Sequence, residues 1–411
     1  MVAAALGMFC SSAYATTEMP AIFGARAAGM GGAGAAFTDD ATAVFHNPAA
    51  LDNIKLTSVV LDFSGLHSQL SVPFGDMETT GPGMSPLFFA GGAYRVHERV
   101  VVGLAAYMTA GTGAQWKFPD PLPANTPPSL MFYEPGSEFK ASIGMMEIAV
   151  PVSVKLLDNL SLAAGWRVTY MMQSNEATMM MPVNPLDPSS GVVSVPTKAD
   201  MSGVNFAGMM AGLYYKPLPM LQLGLTYRSK VTVDSSGTLK MGTEEYDAES
   251  SFSAPHYLRA GVAVSLLDER LLVAADYKYL MYKEANKEIE TVTKMPGGDN
   301  TQTTPLNWKN AWTANLGVEY KVLPILAVRA GYSYSTSATP EETASITGVG
   351  PLGLNGVHLG AGTQIGNVDL DLAGFYYFGS GDVASATDDN AGVGEYSSSG
   401  LLGVLSANYH F

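Results

Sequence analysis

The stretch Leu160-Ser161-Leu162-Ala163-Ala164-Gly165-Trp166-Arg167-Val168-Thr169-Tyr170-Met171-Met172 decides the fold. Read in steps of two, Leu160, Leu162, Ala164, Trp166, Val168, Tyr170 and Met172 form one row, while Ser161, Ala163, Gly165, Arg167, Thr169 and Met171 form the other. That is the period of a β-strand, whose successive side chains point to opposite faces. The first row suits lipid and the second suits a lumen, so the stretch reads as one strand of a transmembrane β-barrel.

The same split recurs outward along the chain. Leu221, Leu223, Leu225 and Tyr227 oppose Gln222, Gly224, Thr226, Arg228 and Lys230, and Leu271, Val273, Ala275, Tyr277 and Tyr279 oppose Asp276 and Lys278. A charge at the bilayer midplane of the lipid face costs about 2–4 kcal/mol, so confinement of charges to one parity points to a closed barrel. Parity sends Arg167, Arg228, Lys230, Arg259, Lys278 and Arg329 inward with Glu147, Asp276, Glu319, Asp369 and Asp371, mostly as ion pairs across the wall. Of these, Arg167 and Arg259 are the candidates to meet the carboxylate head group of an acidic ligand.

Strand-like segments fall near 55–69, 84–95, 99–112, 139–156, 160–174, 203–216, 219–236, 250–266, 270–284, 310–321, 324–338, 355–365, 367–379 and 397–411. The expected fold is all-β, an antiparallel barrel of about fourteen strands, an even number as bacterial barrels require. Short turns alternate with long connections, so one face carries tight turns and the other carries loops, matching periplasmic and extracellular sides. The chain ends Leu401, Gly403, Leu405, Ala407, Tyr409, Phe411 in one row, and this terminal aromatic resembles the signal read by the outer-membrane assembly machinery.

Composition agrees. Charged residues are 14% of 411, against the roughly 25% of soluble domains. No stretch reaches the 18 uninterrupted apolar residues of a membrane helix. A net charge of −15 removes the electrostatic footprint of a nucleic-acid binder. Residues 1–15 read as a signal peptide, apparently truncated because no basic n-region precedes Val2–Cys10, with Ala13-Tyr14-Ala15 as the cleavage site. Cys10 as a lipoprotein anchor is disfavoured by the bulky Phe9 before it. Removal of Cys10 leaves no thiol, and with it no disulfide, thiolate metal site or cysteine nucleophile. No cofactor and no metal are expected.

Residues 16–53 precede the barrel, 54–411, and are rich in Gly and Ala, as a plug packed inside a narrow lumen needs. Gly29-Met30-Gly31-Gly32-Ala33-Gly34 satisfies G-x-G-x-x-G, with Asp52 about twenty residues on, yet a dinucleotide site demands a preceding parallel strand and a βαβ unit that this context does not offer.

The stretch Gly29 to Leu51, with Asp40-Ala41-Thr42-Ala43-Val44-Phe45-His46-Asn47-Pro48-Ala49, resembles the N-terminal hatch of the FadL/TodX family of outer-membrane transporters for long-chain fatty acids and other hydrophobic compounds. Further matching positions are Gly111, Ala254-Pro255, Arg259-Ala260-Gly261, Trp312, Gly317-Val318-Glu319-Tyr320 and Arg329-Ala330-Gly331-Tyr332. The resemblance implies loop capture of a hydrophobic molecule, binding in an internal pocket, hatch movement and lateral release at a kink in the third strand. It assigns Asn47, Pro48 and Ala49 to the hatch and Thr109, Ala110 and Gly111 to the kink. A glycine weakens a strand and permits such a bend.

For capture, the 175–202 connection and its approaches carry Met171, Met172, Met179, Met180 and Met181, and the 113–138 connection carries Trp116, Phe118, Leu130, Met131, Phe132 and Tyr133. Unbranched Met side chains suit a varied apolar ligand, although the same residues serve equally for packing between loops. The expected partners are the outer-membrane bilayer, lipopolysaccharide, a hydrophobic small molecule and, through Phe411, the assembly machinery. A monomer is expected, with no nucleic acid bound. Two rival readings stand beside transport of hydrophobic compounds: a general diffusion porin, against which a plug argues, and a barrel lipid hydrolase using one of His46, His67, His97, His256, His358 or His410, none of which sits in a recognisable nucleophile motif.

Overall fold

A computed structural model describes residues 22–411 except 74, 79–84, 123–125, 127–130, 185–186, 286, 345–349 and 385–392. The expected signal segment and Cys10 lie outside the described residues. Fourteen strands form the barrel: β1 (Thr57–Val72), β2 (Ser85–His97), β3 (Val100–Lys117), β4 (Glu138–Leu157), β5 (Leu160–Asn184), β6 (Asp187–Leu218), β7 (Leu221–Arg228), β8 (Tyr257–Leu266), β9 (Leu271–Leu280), β10 (Ala311–Leu323), β11 (Leu326–Ser335), β12 (Leu354–Ile365), β13 (Val368–Val383) and β14 (Gly394–His410). Each pairs antiparallel with the next, and β14 closes on β1 with Ser58 opposite His410 and Ser71 opposite Ser397. Closure leaves no unpaired edge for lipid to meet.

The β5 alternation follows the sequence reading residue for residue. Ser161, Ala163, Arg167, Thr169 and Met171 are buried, whereas Leu162, Trp166 and Met172 are exposed on the outer wall. That wall is an apolar belt, including Leu61, Phe63, Leu104, Met209, Leu316, Leu359, Leu372 and Leu405. Stacked aromatics edge it, Trp166 with Phe206, Tyr277 with Trp312 and Tyr376 with Phe378, as membrane barrels place them at the interface.

On one end the connections are tight, running from His97 to Val100, Leu157 to Leu160, Leu218 to Leu221, Leu323 to Leu326 and Ile365 to Val368. The turn at Leu267, Asp268 and Glu269 is strained, with φ of 53°, 53° and 63° in the left-handed region. At the other end the ladder does not stop where the sequence suggests loops. The 175–202 segment, read as a loop, is a hairpin continuing β5 and β6 from Gln173 opposite Met201 out to Pro182 opposite Val192. Its period of two persists, with Gln173, Asn175, Ala177, Met179 and Met181 buried, but the outward row turns polar because it has left the hydrocarbon. Two further hairpins, Val231–Met241 with Glu244–Ala254 and Glu288–Met295 with Gly298–Pro305, extend the wall in the same way, their outward faces carrying Asp234, Lys240, Glu249 and Lys294. Lys230, assigned inward by parity, is exposed instead, because the ladder breaks between Arg228 and Val231 and the count restarts.

Residues 22–54 fill the turn-side half of the lumen. They form α1 (Ala25–Gly29), α2 (Ala43–His46) and a 3₁₀ turn (Pro48–Asn53), and all but Arg26, Asp39, Asp40, Asp52 and Asn53 are buried. Elements this short are marginal alone and are held by the wall around them.

Candidate functional site

Glycine makes the fit between segment and wall possible. A Cβ on Gly317 of β10 would overlap the Met30 carbonyl, one on Gly331 of β11 would overlap the backbone of Gly31, and one on Gly224 of β7 would overlap the Ala35 carbonyl. The run Gly29-Met30-Gly31-Gly32 therefore serves backbone-to-backbone contact, with Gly31 and Gly32 at φ of 71° and 85°.

Hydrogen bonds fix the remaining contacts. Gly24 N donates to Asp62 Oδ2 at 3.0 Å, Ala25 N to Ser406 Oγ at 2.6 Å, and Ala41 N to Ser58 Oγ at 2.8 Å. Gly34 N and Ala35 N both donate to Asp276 Oδ2, at 2.9 and 3.0 Å. Asn47, extended at φ −160° before Pro48, donates through Nδ2 to Ala35 O at 2.8 Å and Leu213 O at 3.0 Å, and its Oδ1 accepts from Ala49 N at 3.1 Å. The triplet Asn47, Pro48 and Ala49 thus ties two turns of the segment to β6, and Ser153 Oγ reaches Ala49 O at 3.2 Å.

Three charged groups lie along the wall. Arg26 bonds both oxygens of Glu319, at 2.9 and 2.8 Å, and also Asp39 at 2.9 Å, while Arg329 joins Glu319 to Asp371. Arg259 bonds Asp276 at 2.7 Å, His46 Nδ1 at 2.8 Å and Gly32 O at 2.5 Å. Glu147 receives Arg167 at 2.5 Å, Arg228 and Tyr107 Oη. Arg167 and Arg259 are therefore both buried and engaged in ion pairs. His46, on the segment, sits well below the usual imidazole range because burial and the Arg259 charge oppose its protonation, and its Nε2 faces Phe23 O at 2.6 Å. His358 is likewise buried between Ser333 Oγ and Ala28 O. Both ring nitrogens of each histidine are thus engaged inside the lumen.

On the turn side, Arg26, Asp39, Asp40, Glu319, Arg329 and Asp371 line a charged recess of about 330 Å³. Towards the outer end the lumen is apolar. One cluster of buried residues includes Ile22, Ala25, Ala27 and Ala28 of the segment, Met145, Met171, Met201 and Ile143 of the wall, and Phe139, Met179, Tyr133 and Phe118. Tyr133 stacks on Phe118 at 4.7 Å and meets Phe139 edge-on at 5.6 Å.

The structure divides the residues expected to capture cargo. Phe118, Met171, Met179 and Met181 are buried in this cluster and Phe132 packs against it, whereas Met180 lies on the opposite face of β5 because neighbouring side chains alternate. Thr109 occupies a β-bulge, since the β3–β4 register shifts between Met108 and Ala110. The side chains of Ala110, Gly111 and Trp116 lie outside the described residues, although their backbone continues β3, Gly111 opposite Gly144. Sequence reading passed over Asp62, Tyr107 and Gln173. The inward parity of Asp62 and Gln173 was available, but their partners lie far off in the chain.

A closed fourteen-stranded barrel with a lipid-facing belt, its lumen occupied by its own N-terminus, defines a membrane-spanning barrel of the transport class. The chain belongs to the outer membrane protein transport protein family (OMPP1/FadL/TodX), whose model matches residues 7–411, which places it in the outer membrane. No curated protein matches it. Among solved structures it is similar to a Pseudomonas aeruginosa FadL homologue, at 19% identity over 98% of this chain and 99% of that one, with a TM-score of 0.75. The Ralstonia pickettii toluene transporter TbuX follows at 18% identity, covering 95% and 98%, with a TM-score of 0.70. The Pseudomonas putida toluene transporter TodX matches at 18% over 95% and 98%, with a TM-score of 0.71. At these identities the likeness is one of fold.

Proposed function

We propose that the protein takes up hydrophobic small molecules, such as long-chain fatty acids or aromatic hydrocarbons, across the outer membrane. The observation that carries this reading is the continuous apolar cluster from Phe118 and Tyr133 near the outer end down to Ile22 and Ala28 of the N-terminal segment. Cargo captured among Phe118, Phe132, Met179 and Met181 passes Met171 and reaches the segment. That segment is a hatch, residues 16–53, and the barrel proper is 54–411. An acidic head group would arrive at Arg167, since Glu147 lies opposite Thr169, one inward layer below Met145 and Met171. Arg259, bonded to the hatch, would meet it only after the hatch moves. The bulge at Thr109, next to Ala110 and Gly111, supports a lateral exit through β3. Lipopolysaccharide around a monomeric barrel, and Phe411 as the assembly signal, complete the proposal.

The test is uptake of labelled oleate and toluene by cells carrying the protein, together with planar-bilayer conductance of the purified chain. Uptake above the empty-vector level with near-silent bilayers is expected. Large steady channels without uptake would establish a diffusion porin instead.

A further inference from the structure

Gln173 of β5 projects into the apolar outer lumen and is only 5% exposed. In the ladder it stands opposite Ile143 on one side and Met201 on the other. Met201 in turn opposes Gly237, and Ser235, two residues along on the same inward face, opposes Ser250. Three polar side chains therefore form an arc across successive strands, displaced by one pleat repeat of roughly 7 Å. Ser235 and Ser250 are 3% and 6% exposed. Ile143 and Met201 flank Gln173 in the ladder, the pair Val233 and Phe252 lies one inward position along from the serines, and the hydroxyl-bearing Thr291 stands opposite Ser250.

Gln173 Oε1, Ser235 Oγ and Ser250 Oγ have no hydrogen-bond partner among the described residues. The Gln173 amide nitrogen meets only the Met201 sulfur, at 3.6 Å, and a thioether is a weak acceptor. The two serines face each other in register without bonding. Buried polar atoms are almost always paired, so three unpaired ones in a single arc are arranged for a partner that arrives. Charges on these strands, Asp200, Asp234 and Glu249, are on the outward faces and exposed. The arc thus offers hydroxyl and amide groups without charge. An alcohol or phenol O–H, which both donates and accepts, matches that set.

We propose that Gln173, Ser235 and Ser250 form a recognition subsite for the hydroxyl of a neutral, hydroxyl-bearing hydrophobe, an alcohol or a phenol. The inference rests on the uptake reading above and narrows its cargo. Met201 and Ile143 accommodate the apolar body, and the arc rejects an analogue without the hydroxyl because its own polar atoms then stay unpaired.

The experiment compares 1-naphthol with 1-methylnaphthalene, which are similar in shape and both fluorescent. Binding to the purified full chain in micelles is measured, corrected for partition into empty micelles. The wild type is expected to prefer 1-naphthol by about tenfold or more. Gln173→Met, of similar volume, should narrow the ratio, and Gln173→Met with Ser235→Ala and Ser250→Ala should abolish it while 1-methylnaphthalene binds at least as well. Normal heat-modifiable migration checks that each variant folds. Equal affinities in the wild type, or an unchanged ratio in the variants, would overturn the inference and show that the arc merely holds water, with the uptake reading intact. Binding of neither compound would also overturn the inference, and the oleate and toluene uptake assay decides the uptake reading separately.

Discussion

Where the turn-side half of the lumen meets the N-terminal segment, contact is directional. Asp276 receives two backbone amides and Arg259, Asn47 reaches two carbonyls, and wall glycines admit backbone against backbone. Farther out, Met145, Met171, Met179 and Phe139 belong to one apolar cluster, and the polar atoms of Gln173, Ser235 and Ser250 are left unpaired. Directional bonds select one seated arrangement and fail together when one member is lost, whereas apolar contacts among unbranched side chains rearrange at small cost. The half that must hold still and the half that must accommodate cargo are built from different interactions.

The strongest attempt to break this contrast is Asp276→Ala. It strands Arg259 and frees the amides of Gly34 and Ala35, and removing one partner of a buried pair costs about 3–5 kcal/mol. The segment should lose its seat while the barrel, whose strands pair independently of it, migrates normally. Amide exchange over residues 22–54 should accelerate, and a bulky polar antibiotic should enter cells. Unchanged exchange would mean that the seat does not depend on directional bonding.

Much of this is legible in the sequence. The alternation in β5, β7 and β9 specified the barrel because each lipid-facing position answers to its own local environment. The Gly/Ala run and Asn47-Pro48-Ala49 marked the segment. The reach of the outer hairpins was not legible, since beyond the bilayer the outward row becomes polar and the contrast that identifies a membrane strand inverts. Pairings such as Gly24 with Asp62, or His46 with Arg259, join positions far apart in sequence and leave no periodic trace.

The contrast is sharpened from the other half by Met171→Leu. Met171 is fully buried, but the exchange conserves volume, so its cost should stay below about 1.5 kcal/mol. Uptake within about twofold of wild type and an unaltered exchange pattern in the segment are expected. A loss as severe as that from Asp276→Ala would show the outer wall to be as closely specified as the seat.

The smallest effect should come from pH, acting on the seat alone. Asp40 lies on the segment at the charged recess, and burial, helped by the neighbouring Asp39, pushes its carboxyl up to about 6, although Thr42 N and Oγ1 donate to it at 2.8 and 2.5 Å. A carboxyl raised in the folded state favours folding while protonated, so its contribution is fully present below the ordinary carboxylate range and is lost as pH rises through 6. His46 acts in the opposite direction, because its ring stays neutral in the folded segment and takes up a proton when the segment opens at low pH. Asp40→Asn leaves that contribution in place and cannot itself ionise, so the comparison of wild type with this variant isolates Asp40. Exchange over residues 37–47 should be alike in the two at pH 5 and faster in the wild type at pH 7.5. A gap between wild type and variant that does not change with pH would remove Asp40 from the forces that hold the segment down.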